Sequence, residues 1–121
     1  MRILIVDDEP HVTRVLKLCL MREGHEVDCV TDGHAALARI RARAPDYLIT
    51  DIQMPGMNGR ELCSAIHAEF PQREFPILVM TSMTARENRE WAAAIPNTDF
   101  LEKPLSPRNL VARLGHGATV K

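Results

Sequence analysis

The sequence predicts an open α/β fold in which a parallel sheet carries helices on both faces. Short apolar runs without alternation indicate strands that are buried on both sides, and the clearest of them are residues 3–6, 47–49 and 77–80. Weaker candidates are residues 26–30 and 100–101. Helical patterns separate these runs and give five strand–helix units, an alternation typical of doubly wound sheets with right-handed crossovers. Five units are too few for a closed eight-stranded barrel.

Each predicted helix has a recognisable beginning or end. In residues 11–22, apolar side chains recur at steps of three and four, which places them on one face of a helix. Capping side chains, proline and glycine then mark the boundaries. These are Gly24 after the first helix, Pro45 after the second, Asn58 and Pro71 around the third, Thr84 and Glu87 as a capping box for the fourth, and Ser106 before the fifth.

The composition is that of one ordinary globular domain. The chain has 121 residues, of which 15 are basic and 16 acidic, so its net charge is −1. A chain this balanced has no general affinity for nucleic acid or anionic lipid. Aromatic residues make up only 4% of the chain, which argues against a surface for stacking bases.

The cysteines and the apolar segments indicate a cytoplasmic protein. Cys19, Cys29 and Cys63 are odd in number and form no C-x-x-C pair, so we interpret them as small hydrophobes in a reducing compartment rather than disulfide or metal partners. No uninterrupted apolar segment approaches the roughly 20 residues that a membrane span needs. The first residues become acidic too early for a signal peptide.

Polar side chains follow the ends of the predicted strands. Asp7, Asp8 and Glu9 come after the first strand, Asp51 ends the third, Thr81 ends the fourth and Lys103 follows the fifth. In a parallel sheet these groups share one edge, where ligands bind. Converging carboxylates repel one another unless they take up a proton or share a cation. A hard cation such as Mg²⁺, with a lysine and a hydroxyl for phosphate oxygens, satisfies all of these groups.

Four motifs together resemble the receiver domain of two-component response regulators. They are "ILIVDDEP", "YLITDIQMPGMNG", "ILVMTS" and "FLEKP". Their separations also agree with that family: 43 residues from Asp8 to Asp51, 30 from Asp51 to Thr81 and 22 from Thr81 to Lys103. The resemblance covers essentially the whole chain, and the ordered set of motifs is far more specific than any one of them.

The resemblance implies a flavodoxin-like five-stranded sheet in the order 2-1-3-4-5 and a single receiver domain over residues 1–121. It implies that Asp51 is the phosphorylated residue, which takes a phosphoryl group from a phosphohistidine. Thr81 would bond one phosphoryl oxygen and Lys103 would pair with another. We expect Asp51 to be exposed enough at its strand end for the phosphohistidine to reach it.

A magnesium ion is the cofactor that the resemblance implies. Asp7 and Asp8 would hold it, together with Asp51 and the backbone carbonyl of Gln53. An alternative role for the acids after the first strand is to cap the first helix, since carboxylates favour helix N-termini.

The resemblance also implies a conformational switch. Phe100 lies three residues before Lys103, at the family's aromatic switch position. Capture of the phosphoryl group would draw the Thr81 hydroxyl inward, and Phe100 would rotate into the vacated space. The face made by the fourth helix, fifth strand and fifth helix would change as a result. The peptide bond before Pro104 is expected to be cis.

One segment departs from the family pattern. Before the fifth strand the family carries an Ala-Gly-Ala-like turn, whereas this chain has Ile95, Pro96 and Asn97. Proline cannot take the positive φ that glycine allows. We therefore expect the corner before the fifth strand to have a different shape.

The implied partner is a sensor histidine kinase or a histidine phosphotransfer protein, with an unknown output partner. A homodimer that forms on phosphorylation is also compatible with the resemblance. The domain would bind neither nucleic acid nor membrane directly. It would be a signalling phosphoacceptor that catalyses only its own phosphorylation and dephosphorylation, rather than an enzyme with an external substrate.

Three alternatives stay open. A phosphatase of the haloacid dehalogenase type would need a second aspartate where Gln53 stands. A flavin-binding module would need a Ser/Thr/Gly-rich loop after the first strand, where "DDEP" would repel the phosphate. An unphosphorylated scaffold would not need the full set of acids, hydroxyl and lysine.

Overall fold

The computed structural model describes residues 1–81, 90–91, 95–102, 106, 108–112 and 114, and it contains a five-stranded parallel sheet. The strands are β1 (Arg2–Val6), β2 (Glu26–Val30), β3 (Tyr47–Asp51), β4 (Ile77–Thr81) and β5 (Thr98–Glu102). Their spatial order is β2-β1-β3-β4-β5, which confirms the expected topology. No helix among the described residues combines the length and hydrophobicity that crossing a bilayer needs.

Three complete helices are described: α1 (Pro10–Arg22), α2 (Gly33–Ala42) and α3 (Gly59–Glu69). Residues 90–91, 108–112 and 114 are also helical. The predicted capping box of Thr84 and Glu87 lies outside the described residues. Ser106 caps as predicted, because its hydroxyl oxygen accepts from the Asn109 N–H at 3.4 Å and its carbonyl accepts from the Leu110 N–H at 3.0 Å.

Local chemistry explains where the helices begin and end. Proline opens α1, where its missing N–H costs no helical hydrogen bond. Gly24, beyond the end of α1, has φ +88°, a conformation that glycine adopts without strain. Asn58 and Glu61 form a reciprocal capping box on α3, at 2.8 and 3.0 Å. The Asp32 side chain caps α2 by accepting from the Ala35 N–H at 2.8 Å.

Helices cover both faces of the sheet, as predicted, and each face has its own core. On one face α2, α3, Trp91 and Ile95 pack on alternate residues of the strands. On the other face α1 packs beside Leu110 and Leu114. Cys63 is fully buried in the first core, and its burial raises the pKa of its thiol to about 12, so it behaves as a neutral hydrophobe.

The corner before β5 is held by Arg73, a residue that the sequence analysis did not single out. Its guanidinium donates to the carbonyls of Phe75 at 2.5 Å, Asn97 at 3.3 Å and Pro96, and to the Thr98 hydroxyl at 3.2 Å. It also lies over the Phe75 ring, 5.6 Å from the centroid. Partial burial lowers the pKa of this guanidinium.

Asn97, in the corner before β5, takes a left-handed backbone conformation. Its φ is +55°, a region that asparagine tolerates better than other side chains. Its side-chain amide donates to the Glu74 carbonyl at 3.2 Å, and its own carbonyl accepts from the Ile77 N–H at 3.1 Å. An asparagine therefore supplies the positive φ of this corner.

Candidate functional site

The carboxyl edge of the sheet, where the five strands end, gathers the acids. In the parallel register Val6 lies opposite Thr50, so the next residues on those strands, Asp7 and Asp51, emerge side by side. Four residues, Asp7, Asp8, Glu9 and Asp51, each offer a carboxylate oxygen, and these oxygens all lie within 4.8 Å of one another. We call these four residues the acid cluster.

The acid cluster has two buried and two exposed members. Asp7 retains 1% and Asp51 2% of their accessible surface, whereas Asp8 and Glu9 are exposed. Four carboxylates this close repel one another, which favours the uptake of a positive charge. An all-oxygen donor set is the kind that Mg²⁺ and other hard cations prefer. The residues present therefore fit a divalent cation.

Backbone N–H groups orient the two buried carboxylates. The Ile52 N–H donates to Asp51 Oδ1 at 2.8 Å, and the Gln53 N–H approaches the same oxygen at 3.4 Å. The Glu9 N–H donates to Asp7 Oδ1 at 3.0 Å. Such bonds stabilise the ionised form of a carboxylate and fix its direction.

Glu9 joins the acid cluster although the sequence analysis left it out of the predicted ligand set. The turn that lets its N–H reach Asp7 also brings its side chain to the cluster. Glu9 stands at the N-cap position of α1 but makes no side-chain capping bond. The alternative that the acids after β1 serve only to cap α1 is therefore not supported at this position.

Gly59 ties the start of α3 to the end of β3. Its N–H donates to the Ile52 carbonyl at 2.8 Å. A Cβ at this position would lie 2.2 Å from the backbone oxygen of Asp51, far inside van der Waals contact. The loop that contains Gln53 is therefore closed tightly against the strand that carries Asp51, and only glycine permits this approach.

Thr81 and Phe100 lie on neighbouring strands near the same edge. Thr81 is the fully buried last residue of β4, one residue beyond the Met80 that pairs with Asp51. Phe100 lies two residues before Glu102, which is the partner of Thr81 in the register. Because side chains two apart share a face of the strand, the side chains of Thr81 and Phe100 are neighbours on one face of the sheet.

Phe100 packs against the single tryptophan of the chain. The ring centroids of Trp91 and Phe100 are 5.0 Å apart and the planes meet at 89°, an edge-to-face contact. Trp91 is only 5% exposed. Among the described residues, its indole N–H is buried without a hydrogen-bond partner.

The structure brings together some of the predicted site residues and leaves others outside its description. Asp7, Asp8 and Asp51 meet in the acid cluster, while Lys103 and the predicted cis-proline, Pro104, lie outside the described residues. The expectation that Asp51 is exposed is wrong for this conformation, because only 2% of its surface is accessible. A strand-end position left its carboxylate flush with the edge of the sheet.

A shallow cavity of about 730 Å³ opens beside the acid cluster. We call it the rim groove. Asp8 lines one part of it and Arg60, in the first turn of α3, lines another. The described residues that line it are Asp8, Ile52, Gln53, Met54, Pro55, Asn58 and Arg60. The sequence analysis did not identify Arg60, because no strand-end pattern or spacing marks it.

The sequence matches the response regulator receiver domain family over residues 3–115. The chain belongs to this family. The family assignment decides against the flavin-binding and haloacid dehalogenase alternatives.

Solved receiver structures superpose closely on this chain. The chemotaxis response regulator CheY4 of Vibrio cholerae is 31% identical with a TM-score of 0.86, over 95% of this chain and 96% of that one. The receiver domain of NtrX from Brucella abortus is 30% identical with a TM-score of 0.83, over 98% and 99%. The receiver domain of a histidine kinase from Syntrophus aciditrophicus is 27% identical with a TM-score of 0.84, over 95% and 87%.

Proposed function

We propose that this receiver domain is a phosphoacceptor in which Asp51 takes a phosphoryl group from the phosphohistidine of a histidine kinase or phosphotransfer protein. The observation that carries the proposal is the acid cluster, which sets Asp51 beside Asp7 and Asp8 at the carboxyl edge of a receiver fold. A cation-binding cluster of carboxylates beside one strand-end aspartate is the arrangement that phosphoryl transfer to that aspartate needs, which supports the proposal.

Asp7, Asp8 and Asp51 would hold Mg²⁺ by carboxylate oxygens, with the backbone carbonyl of Gln53 as a further ligand. Glu9 is close enough to contribute directly or through water. When bound, the ion supplies neutralising charge to the carboxylates and to the phosphoryl oxygens. The ion would thereby relieve the repulsion among the carboxylates of the cluster.

The transfer itself exchanges one bond to phosphorus for another. A carboxylate oxygen of Asp51 forms the new P–O bond as the P–N bond of the phosphohistidine breaks, and the bonding electron pair stays with the imidazole nitrogen. The Ile52 N–H fixes the orientation of the Asp51 carboxylate by its 2.8 Å bond to Oδ1. Positioning and charge neutralisation are the main contributions of the protein to such a step.

Two further side chains would contact the transferred group. Thr81 would donate its hydroxyl to one phosphoryl oxygen, and Lys103 would pair its ammonium with another. Thr81 stands one residue past the register partner of Asp51 on the adjacent strand, which supports its role. The domain would act as a signalling phosphoacceptor whose only reactions are the gain and loss of its own phosphoryl group.

The positions of Thr81, Phe100 and Trp91 support a role for these residues in a conformational switch. If the Thr81 hydroxyl moves toward the phosphoryl group, the neighbouring Phe100 gains space, and its edge-to-face contact with Trp91 must change. An aromatic pair contributes about 0.5–1.5 kcal/mol beyond its burial. A few new bonds to phosphate are enough to offset that amount and shift the population.

The decisive experiment is intact mass spectrometry after incubation with acetyl phosphate and Mg²⁺. We expect one added phosphoryl group on the wild type, none without Mg²⁺ and none on Asp51→Asn. The matched control is Asp46→Asn, an aspartate at the opposite edge of the sheet that accepts from the Arg2 N–H at 2.7 Å. A wild type that stays unmodified under these conditions would favour the scaffold alternative and refute the proposal.

A further inference from the structure

The rim groove offers an approach to Asp51 along the surface of the β3–α3 loop. It shares Asp8 with the acid cluster, and Ile52 and Gln53, which bond the Asp51 carboxylate, line its floor. Only 2% of the surface of Asp51 is accessible, so a donor molecule has to bind at the adjacent surface before the transfer.

Among the described residues that line the rim groove, Arg60 carries the only positively charged side chain. It is exposed, and it forms no hydrogen bond or ion pair with any described residue. Elsewhere in the described structure several arginines are paired, as Arg41 is with Glu69 and Arg39 with Asp28. The guanidinium of Arg60 is therefore available to a ligand in the groove.

The backbone of Arg60 is held firmly relative to Asp51. Its neighbour Gly59 is fixed by the 2.8 Å bond to the Ile52 carbonyl and by close contact with the backbone of Asp51. The charge of Arg60 also stands in the first turn of α3, where the helix dipole disfavours a cation. Local helix stability thus gives no reason for a positive charge here, which points to a functional one.

We propose that Arg60 binds the phosphoryl oxygens of the incoming phosphodonor in the rim groove and delivers them to Asp51. The inference rests on the proposed phosphoacceptor function and adds to it a residue for donor recognition. A guanidinium presents several N–H donors in a plane and matches phosphate oxygens bidentately. In the transfer from acetyl phosphate, Asp51 forms the new P–O bond, the bridging P–O bond breaks, and acetate leaves with the electron pair.

The charge layout of the rim groove supports this assignment. The four carboxylates of the acid cluster carry more charge than one divalent cation offsets, so the opposite side of the groove has to supply attraction for an anionic donor. Arg60 provides it without pairing to the acids, because no ion pair within 4.0 Å joins it to Asp8 or to any other described carboxylate. A donor phosphoryl group can then bridge the space between the two.

The test measures the rate of Asp51 phosphorylation against acetyl phosphate concentration, with Mg²⁺ saturating. For Arg60→Ala we expect kcat/KM to fall about tenfold through a higher KM, as for the loss of one charge-assisted bond. Arg60→Lys should recover part of the loss, and Arg60→Glu should exceed it. Added salt should slow the wild type more than Arg60→Ala, because the attraction is electrostatic.

The matched control is Arg22→Ala, which removes the same charge from the exposed C-terminal end of α1, at the other edge of the sheet. Equal kinetics for Arg60→Ala and Arg22→Ala would overturn the inference, as would a fall in the maximal rate without a rise in KM. Circular dichroism melting verifies that each variant is folded. Failure of the wild type to accept a phosphoryl group would instead refute the proposed function, so the two outcomes are distinguishable.

Discussion

Charged side chains are arranged differently at the carboxyl edge and at the amino edge of the sheet. At the carboxyl edge, Asp7 and Asp51 are buried beside two further acids. At the amino edge, where the strands begin, charged side chains of both signs bond to the backbone. Arg2 donates to the carbonyls of Arg43 and Ala44 at 2.9 and 3.0 Å, and Asp46 accepts from the Arg2 N–H.

The difference separates sites of stability from sites of function within one sheet. Arg73 and Arg2 donate to backbone carbonyls in turns and loops, and these hydrogen bonds stabilise the fold. The acid cluster instead brings four carboxylates within 4.8 Å of one another, an arrangement that suits a cation. Natural proteins break local rules mainly at functional sites, and a cluster of four carboxylates is such a break.

The largest effect should come from closing the space at Gly59. In Gly59→Ala the new Cβ would collide with the backbone oxygen of Asp51, so α3 or the end of β3 must shift. We expect the free energy of unfolding to fall by about 3 kcal/mol or more. Phosphorylation should slow by about 100-fold, since small displacements of a reacting group have effects of that size.

Urea unfolding and the mass assay measure these two effects. Gly24→Ala is the control, because its φ of +88° strains alanine but nothing lies within 4 Å of the new Cβ. It should cost about 1 to 2 kcal/mol and leave phosphorylation unchanged. Equal phosphorylation by the two variants would break the proposed link between Gly59 and the site.

Substitution of a residue that stabilises the amino edge should lower stability without changing the rate of phosphorylation. Arg73→Ala removes the donors that hold Pro96, Asn97 and Thr98, and we expect a loss of about 2 kcal/mol. Its rate of phosphorylation, measured well below the melting temperature, should match the wild type. Arg22→Ala should change neither quantity. A slower phosphorylation in folded Arg73→Ala would show that the two edges are coupled.

Neutralising one acid at each edge should have opposite consequences. Without Mg²⁺, Asp8→Asn should raise the free energy of unfolding slightly by relieving repulsion in the cluster, whereas Asp46→Asn should lower it. Mg²⁺ at ten times its Kd should add about 1.4 kcal/mol to the wild type. Asp8→Asn should lose most of this gain and Asp46→Asn should keep it, as thermal melting with and without Mg²⁺ will show.

The smallest effect concerns His25 at the amino edge. Burial lowers the pKa of this imidazole from 6.5, and the positive N-terminus, 3.2 Å from Nδ1, adds to the shift while Glu23 opposes it. The unfolded chain therefore binds the proton more tightly, and stability falls as the pH drops from 6.5 through the folded pKa. His25→Asn should flatten this part of the stability profile in thermal melts recorded as the pH is lowered.

The acids could be placed from the sequence because parallel topology alone decides which strand ends meet. Asp7, Asp8 and Asp51 follow directly from that rule. Glu9 and the burial of Asp51 depend on the exact path of two tight turns, which no periodicity encodes. Arg73 was missed because its partners come from the α3–β4 loop and the corner before β5, and only the folded chain brings these segments together.

The corner before β5 shows both the value and the limit of a family pattern. The sequence marks Ile95, Pro96 and Asn97 as a departure from that pattern, because proline cannot take the positive φ that glycine allows. It could not foresee that Asn97 would take φ +55° one position later. The strands were found at their apolar centres but extended further, as in β5, because Thr98 and Asp99 pair with β4 by backbone alone.

The contact between Trp91 and Phe100 gives this protein a built-in optical probe. The chain has a single tryptophan, so its fluorescence on excitation at the red edge of indole absorption comes from one place. That place adjoins the aromatic ring on β5. A time course of emission would therefore follow changes in the packing around Phe100 in unlabelled protein, with no dye to perturb that packing.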